Sequence, residues 1–261
     1  MSERVPLRSN HAVVEPLVLH EAGGVVAVDK PAGLPTQAPA GIDSVESWLR
    51  ARLAAASGAG GAYVGVPHRL DRAVSGVILL AVTPRAARKL SRQFERREIR
   101  KTYLAILAAG EVALADGVVE WRDFLEKVPD QPLARIVPQD SEGGREAITK
   151  ARRLARSAAG WLLAELEPLT GRMHQLRVQA ASRGMPVIGD PLYADGAANA
   201  SEPPVLGAAV ADPRSRPIAL HAWRIRYVDP DTGREVSIES PPPGFWPEEA
   251  RAVAASAAGT S

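Results

Sequence analysis

The 261-residue chain has no cysteine, which excludes disulfides, thiolate metal ligands and cysteine nucleophiles together. Aromatic residues make up only 5% of it. No run of about 18 apolar residues occurs, so nothing reads as a membrane span. The polar, charged stretch Met1 to Asn10 lacks the apolar core of a secretory signal, and a cytoplasmic protein is the simplest expectation. A Gly-Lys dipeptide is missing, and with it the P-loop lysine; a complete GxGxxG and a His-Glu-x-x-His are missing too. Lysine is scarce: five against 27 arginines. Arginine suits bidentate phosphate contact and stacking on bases, although a GC-rich genome raises its share regardless of function. With 46% hydrophobic residues the chain can bury a core, and its net charge of +2 is unremarkable.

Charge is distributed unevenly. Residues 85–101 carry eight basic side chains and only two acids, Glu95 and Glu98. Thr83 and Pro84 read as the N-cap and first residue of a helix running to about Arg97, with Ala87, Leu90 and Phe94 inward. A one-signed helix face points to a polyanion partner, a phosphate backbone above all.

Elsewhere the pattern predicts short strands around Val13–Leu19 and Val25–Val28, joined by a turn at Glu21–Gly24. Asp43 with Glu46 suggests a capping box for a helix with Val45, Trp48, Leu49 and Leu53 inward, followed by a loop over Ala54–Ala62. Strands are expected at Gly76–Val82, Ile99–Leu107, Ala147–Leu154 and Trp161–Leu166. Met173, Leu176 and Ala180 mark one face of a short helix closed by Gly184. A final hairpin pairs Ile218–Tyr227 with Glu235–Glu239. The organisation expected is an N-terminal extension over 1–12, one α+β domain over 13–247 with a surface insertion at 195–216, and a disordered tail over 248–261.

Two polar stretches are candidate sites. In His68-Arg69-Leu70-Asp71-Arg72, arginines flank an aspartate and keep it ionised, fit to serve as nucleophile or base; a solvated turn is the bland alternative. Thr170-Gly171-Arg172 with His174-Gln175-Leu176-Arg177-Val178 brings Arg172, His174 and Arg177 within two helical turns, guanidiniums that can fix a carboxylate or a phosphate.

Together with Val28-Asp29-Lys30-Pro31-Ala32-Gly33, Ser75-Gly76, Arg100-Lys101-Thr102-Tyr103-Leu104-Ala105, Gly189-Asp190-Pro191-Leu192-Tyr193 and Leu220-His221-Ala222, these stretches resemble, in order, the RluA-type RNA pseudouridine synthases. The likeness runs from about Val25 to Trp246. It implies the pseudouridine synthase fold, an α+β arrangement with a mixed, mostly antiparallel central sheet and flanking helices. It implies isomerisation of uridine in RNA: N1–C1′ breaks, the uracil rotates, and C5–C1′ forms, with no metal and no cofactor. By resemblance Asp71 is the essential carboxylate, Tyr103 packs on the target base and Arg177 pairs with Asp71. Arg72 is expected to fill the space of the flipped uridine. His68, Arg69, Leu176, Arg92 and Arg96 complete the expected substrate contacts.

Val74, Met173 and Gln179 stand where the family usually has Thr, Thr and His. The stretch before Val13 leaves no room for the small N-terminal RNA-binding module of many relatives, so a compact stem-loop, of ribosomal or transfer RNA, is the expected substrate; with no exposed heptad or large apolar stripe, a monomer is the expected state. The rival readings are a non-catalytic RNA-binding or RNA-remodelling protein on the same fold, and a metal-dependent hydrolase built on His68, Asp71 and His174.

Overall fold

The computed structural model describes residues 15–57, 61–109, 114–194 and 216–259. Among the described residues, ten strands and four helices give the expected α+β class with a mixed, mostly antiparallel sheet. The chain forms two compact units. The first holds residues up to Arg100 and Ala222–Ser240; the second holds Lys101–Ala209, Pro217–His221 and the residues from Pro241 on.

In unit 1, β1 (Leu17–Ala22) and β2 (Val25–Lys30) form a hairpin, and β2 pairs antiparallel with β3 (Ser75–Ala81). Their turn is two glycines, Gly23 and Gly24, at φ 57° and 73°, the left-handed pair a tight hairpin requires. Every residue of β3 is buried, and from Val77 to Ala81 the strand reads as an unbroken apolar run. β9 (Leu220–Val228), within this unit from Ala222 on, pairs with β10 (Glu235–Glu239). Two helices flank this sheet: α1 (Val45–Ser57) and α2 (Pro84–Glu95).

In unit 2 the strand order is β4 (Arg100–Ala108), β8 (Trp161–Pro168), β7 (Arg145–Arg156), β5 (Val118–Lys127), β6 (Ala134–Val137). Leu104–Leu107 and Trp161–Ala164 form its apolar centre. Two helices belong to it: α3 (Gln175–Ala181) and α4 (Glu248–Ala258).

Several expectations are corrected. α1 is capped by Ser44, whose Oγ accepts the Ser47 amide N–H at 3.1 Å while Ser47 Oγ accepts that of Ser44 at 2.9 Å. Glu46 instead pairs with Arg50 at 2.8 Å. The alanines expected in a loop extend α1 to Ser57, in keeping with alanine's helix propensity. On α2 the buried row is Ala86, Leu90 and Gln93; Gln93 is tolerated because its amide bonds both backbone groups of Val228 at 2.8 Å. β5 and β6 lie in a stretch with no strand assignment, since the charges along Val118–Lys127 hide the two inward residues Trp121 and Leu125. α3 starts at Gln175, leaving Met173 outside it and 37% exposed. Residues 248–258, expected as a disordered tail, form α4, which buries Ala250 and Ala254 and is tied by Ser157 Oγ donating to Glu249 at 3.0 Å. The expected extension at 1–12 and the insertion up to residue 215 lie outside the described residues.

Gly76 opens β3 at φ +111°, and a Cβ there would lie 2.2 Å from the Ala222 carbonyl oxygen. Gly76→Ala is therefore expected to cost more than about 2 kcal/mol through clash and backbone strain together. Denaturant unfolding of the two proteins checks this; equal midpoints would contradict the close approach.

Candidate active site

The His68–Arg72 loop of unit 1 is fixed through its backbone. Thr36, itself buried, donates its hydroxyl to the Leu70 carbonyl at 3.0 Å and accepts the Leu70 N–H at 3.1 Å. The Arg72 carbonyl accepts from the Gly33 N–H at 2.7 Å and from Lys30 Nζ at 3.2 Å. Arg72 Nε donates back to the Gly33 carbonyl at 2.9 Å. The Asp71 carbonyl accepts the Val74 N–H at 3.1 Å, closing the turn. Asp71 is thus half-buried on a loop whose neighbours on both sides are held, the condition for a reactive group of defined position.

Lys30 organises this loop. Its side chain is fully buried and its ammonium also donates to the Pro31 and Leu34 carbonyls, at 3.0 and 2.8 Å. Burial pushes its pKa down to about 7, against the negative charges of Asp71 and Asp29, which favour the ammonium; Arg72 works in the same sense as burial. Burial raises the Asp29 pKa, opposed by a hydrogen bond from Ser240 and by the Lys30 charge.

The other expected contacts of unit 1 fall into two kinds. His68 is engaged in the fold: its ring stacks on Phe94 of α2 with centroids 4.5 Å apart, and Nε2 accepts the Leu79 N–H at 2.9 Å. Arg69, Arg92 and Arg96 are exposed. The buried side of Val74 faces the core at 2% exposure.

Unit 2 carries Tyr103, Leu176 and Arg177. Tyr103 lies half-buried on β4 opposite Leu166 of β8, and Leu176 is buried on α3. Arg177 is buried, and its guanidinium meets Asp190 in a two-point pair, Nε to Oδ2 at 2.6 Å and Nη2 to Oδ1 at 2.7 Å. Asp190 also accepts the Leu192 N–H at 3.0 Å, so its carboxylate is held from both sides. The guanidinium lies 5.2 Å from the centre of the Tyr193 ring. Tyr193 in turn accepts the Ala134 N–H at 2.9 Å and meets His174 Nδ1 at 2.7 Å. His174, at φ 52°, is in the left-handed region just ahead of α3.

A buried polar network seats α3 on the sheet. Thr149 Oγ1 donates to Gln179 Oε1 at 2.7 Å, and Gln179 Nε2 donates to Asp123 Oδ2 at 2.7 Å. Gln175 bonds Thr149 and the Ile148 carbonyl, both at 3.0 Å. The Gln179 amide thus accepts and donates at once.

Lys30 and Asp190 are the site residues that reading by residue type alone passes over. Each stood in the sequence only within a longer block; the one local signal was a charge closing an apolar strand run, as in Val25–Lys30.

Two measurements test this geometry. The unfolded chain binds the Lys30 proton up to its ordinary pKa and the folded chain only up to about 7. Folding stability from this residue therefore rises with pH between those values. Stability of the wild type minus that of Lys30→Met is expected to grow from pH 7 to pH 10, and a flat or falling difference would contradict the burial. For the second pair, Asp190→Ala removes the carboxylate that meets the buried Arg177 guanidinium at two points and is expected to cost about 3–5 kcal/mol by denaturant unfolding; a loss below 1 kcal/mol would contradict it.

The sequence profile of the RNA pseudouridylate synthase family matches residues 24–182. The chain is 35% identical, over 181 residues, to the dual-specificity RNA pseudouridine synthase RluA of Yersinia pestis, covering 68% of this chain and 82% of that protein. It is 34% identical over 239 residues to the ribosomal large subunit pseudouridine synthase D of Nitrosomonas europaea, covering 90% of this chain and 65% of that one. The solved structure of human RNA pseudouridylate synthase domain containing 1 shares the fold at 22% identity, with a TM-score of 0.67 over 94% of this chain and 90% of that one. The chain belongs to the RluA-type family of RNA pseudouridine synthases and is an enzyme of that kind.

Proposed function

We propose that the enzyme isomerises a uridine in a ribosomal or transfer RNA stem-loop, with Asp71 as the essential carboxylate. The observation that carries this reading is the clamp on the Asp71 loop by Lys30, Gly33 and Thr36, which gives an ionisable group a fixed backbone beside a buried cation. The name of the Yersinia pestis relative supports RNA as the substrate, and that of the Nitrosomonas europaea relative supports ribosomal RNA.

The reaction is balanced without an external reactant. The N1–C1′ bond breaks and C5–C1′ forms, the C5 proton is lost to solvent, and N1 gains one. Asp71 attacks the sugar or the base, or takes a proton first; Tyr103 stacks on the uracil, and Arg177 holds the Asp71 charge. The uridine leaves its stack to react, an unstacking cost of a few kcal/mol, and Arg72 occupies the space it vacates.

The RNA backbone is held by the outer face of α2. Arg85, Arg88, Arg92 and Arg96 recur at helical spacing and are exposed, and Arg88 and Arg92 have no carboxylate partner among the described residues. By contrast Arg122, Arg135, Arg152 and Arg153 on the unit 2 strands each meet a carboxylate. His68, through its stack on Phe94, joins the Asp71 loop to α2.

The test uses RNA from cells lacking the gene, labelled with tritium at uridine C5. Wild type is expected to release tritium and Asp71→Asn to release only background; equal release would remove Asp71 from the chemistry. Arg72→Ala is expected to slow single-turnover release by at least about tenfold, equivalent to about 1.4 kcal/mol. An unchanged rate together with unchanged RNA affinity would remove the wedge role.

A further inference from the structure

Lys101 and Arg172 stand outside the residues given roles above, yet both are built as if for an anion. Lys101 belongs to β4, two residues before Tyr103, so the two side chains leave the same face of the strand. It is half-buried, and burial lowers its pKa. Among the described residues its ammonium has no hydrogen-bond or ion-pair partner. That distinguishes it from Lys30, which holds three carbonyls, and from the ion-paired arginines of unit 2. A half-buried ammonium without a counter-charge is unfavourable unless a ligand supplies one.

The opening beside it is Gly171. This residue is exposed, and a Cβ placed on it would lie 3.8 Å from Lys101 Nζ. The next residue, Arg172, is half-buried and donates Nε to the Glu146 carbonyl at 2.9 Å, which fixes the guanidinium while its terminal nitrogens have no partner among the described residues. The Glu146 carboxylate is engaged by Arg122. The corner itself is rigid: buried Thr170 accepts the Ile148 N–H at 2.9 Å and donates to Gln175 Oε1 at 2.8 Å, and Gln175 Oε1 accepts the Arg172 N–H at 3.0 Å. Lys101 Nζ thus faces a notch that lacks a side chain, and the residue that follows the notch on this corner, locked by buried hydrogen bonds, is the cation Arg172.

We propose that Lys101 and Arg172 form a phosphate-binding pair that holds one backbone phosphodiester of the RNA substrate at Gly171. The phosphate takes a point charge from the ammonium and directed N–H donors from the guanidinium. The pair rests on RNA being the substrate and is independent of the role given to Asp71.

Initial rates of tritium release from total C5-labelled RNA of the gene-deleted strain, over a KCl series, read the pair. Lys101→Met and Arg172→Gln are each expected to lower kcat/KM. The double variant is expected to make the slope of log(kcat/KM) against log[KCl] shallower by about 0.7–0.9, the value for one phosphate contact. Because both cations hold the same phosphate, the double variant is expected to lose less than the product of the single losses. Lys101→Arg keeps the charge and is expected to keep the slope. Arg135→Gln, which removes an exposed arginine paired with Glu126, is the control expected to leave it unchanged.

Unaltered slopes in both single variants and the double would overturn the proposal. So would strictly multiplicative losses, which would mean separate contacts, or a fall in kcat at saturating RNA with the slope intact. Filter binding of the same RNA reads the slope without turnover. Failure of the wild type to release tritium would therefore count against the enzyme's function, and an unchanged binding slope against the pair alone.

Discussion

A single buried ammonium sets the geometry on which the proposed chemistry depends. Lys30 ends an apolar strand, has no solvent exposure, and spends its three donors on the carbonyls of Pro31, Leu34 and Arg72. The first two acceptors belong to its own loop, while the third belongs to the loop of Asp71. One charge therefore closes both loops against each other with directional bonds that an apolar side chain of equal volume cannot make. Burying the charge is unfavourable, as its lowered pKa records, and full hydrogen bonding together with the nearby carboxylates of Asp71 and Asp29 offsets that cost. The same logic recurs around Arg177, where a buried guanidinium is matched at two points by Asp190. Fixed charges, rather than packing alone, define the residues around the candidate chemistry.

The protein's many arginines do two different jobs. On the strands of unit 2 they are neutralised by acids on the same or the next strand, as Arg122 is by Glu120 of β5 and Glu146 of β7, and Arg152 by Glu165 of β8. Such exposed pairs contribute little stability, about 0–1 kcal/mol each, but they leave that face without a strong field. On α2 the cations run along one side with few acids to offset them, and the helix is tied down at the β9–β10 turn, where Lys89 donates to the Pro230 carbonyl and Arg85 lies 3.3 Å from Asp231. A total charge of +2 conceals this division, because charge of either sign is counted wherever it lies.

Elements with strong local chemistry were legible in the sequence. Thr83-Pro84 fixed the start of α2, and Thr83 Oγ1 accepts the Ala86 N–H at 3.1 Å as a cap should. The apolar runs of β2 and β3 and the last hairpin were equally plain. What escaped were features decided by partners far along the chain. β5 shows only Trp121 and Leu125 as inward residues among charges, and pairing with β7 makes it a strand. α4 is an alanine-rich stretch whose burial comes from contacts with the rest of unit 2. For the candidate site, the blocks containing Asp71, Tyr103 and Arg177 stood out by order and residue type. The identity of the Arg177 carboxylate partner in unit 2, Asp190, 13 residues away, depends on how the chain turns after α3, and no spacing rule supplies it.

The most direct test of Asp71 as the centre of the reaction is carried out on cellular RNA. Pseudouridines are mapped by carbodiimide-induced reverse-transcription stops in a gene-deleted strain carrying either wild type or Asp71→Asn at equal protein level. At least one stop is expected to disappear on deletion, to return with wild type and to stay absent with Asp71→Asn. Return of that stop with Asp71→Asn would remove Asp71 from the centre of the reaction.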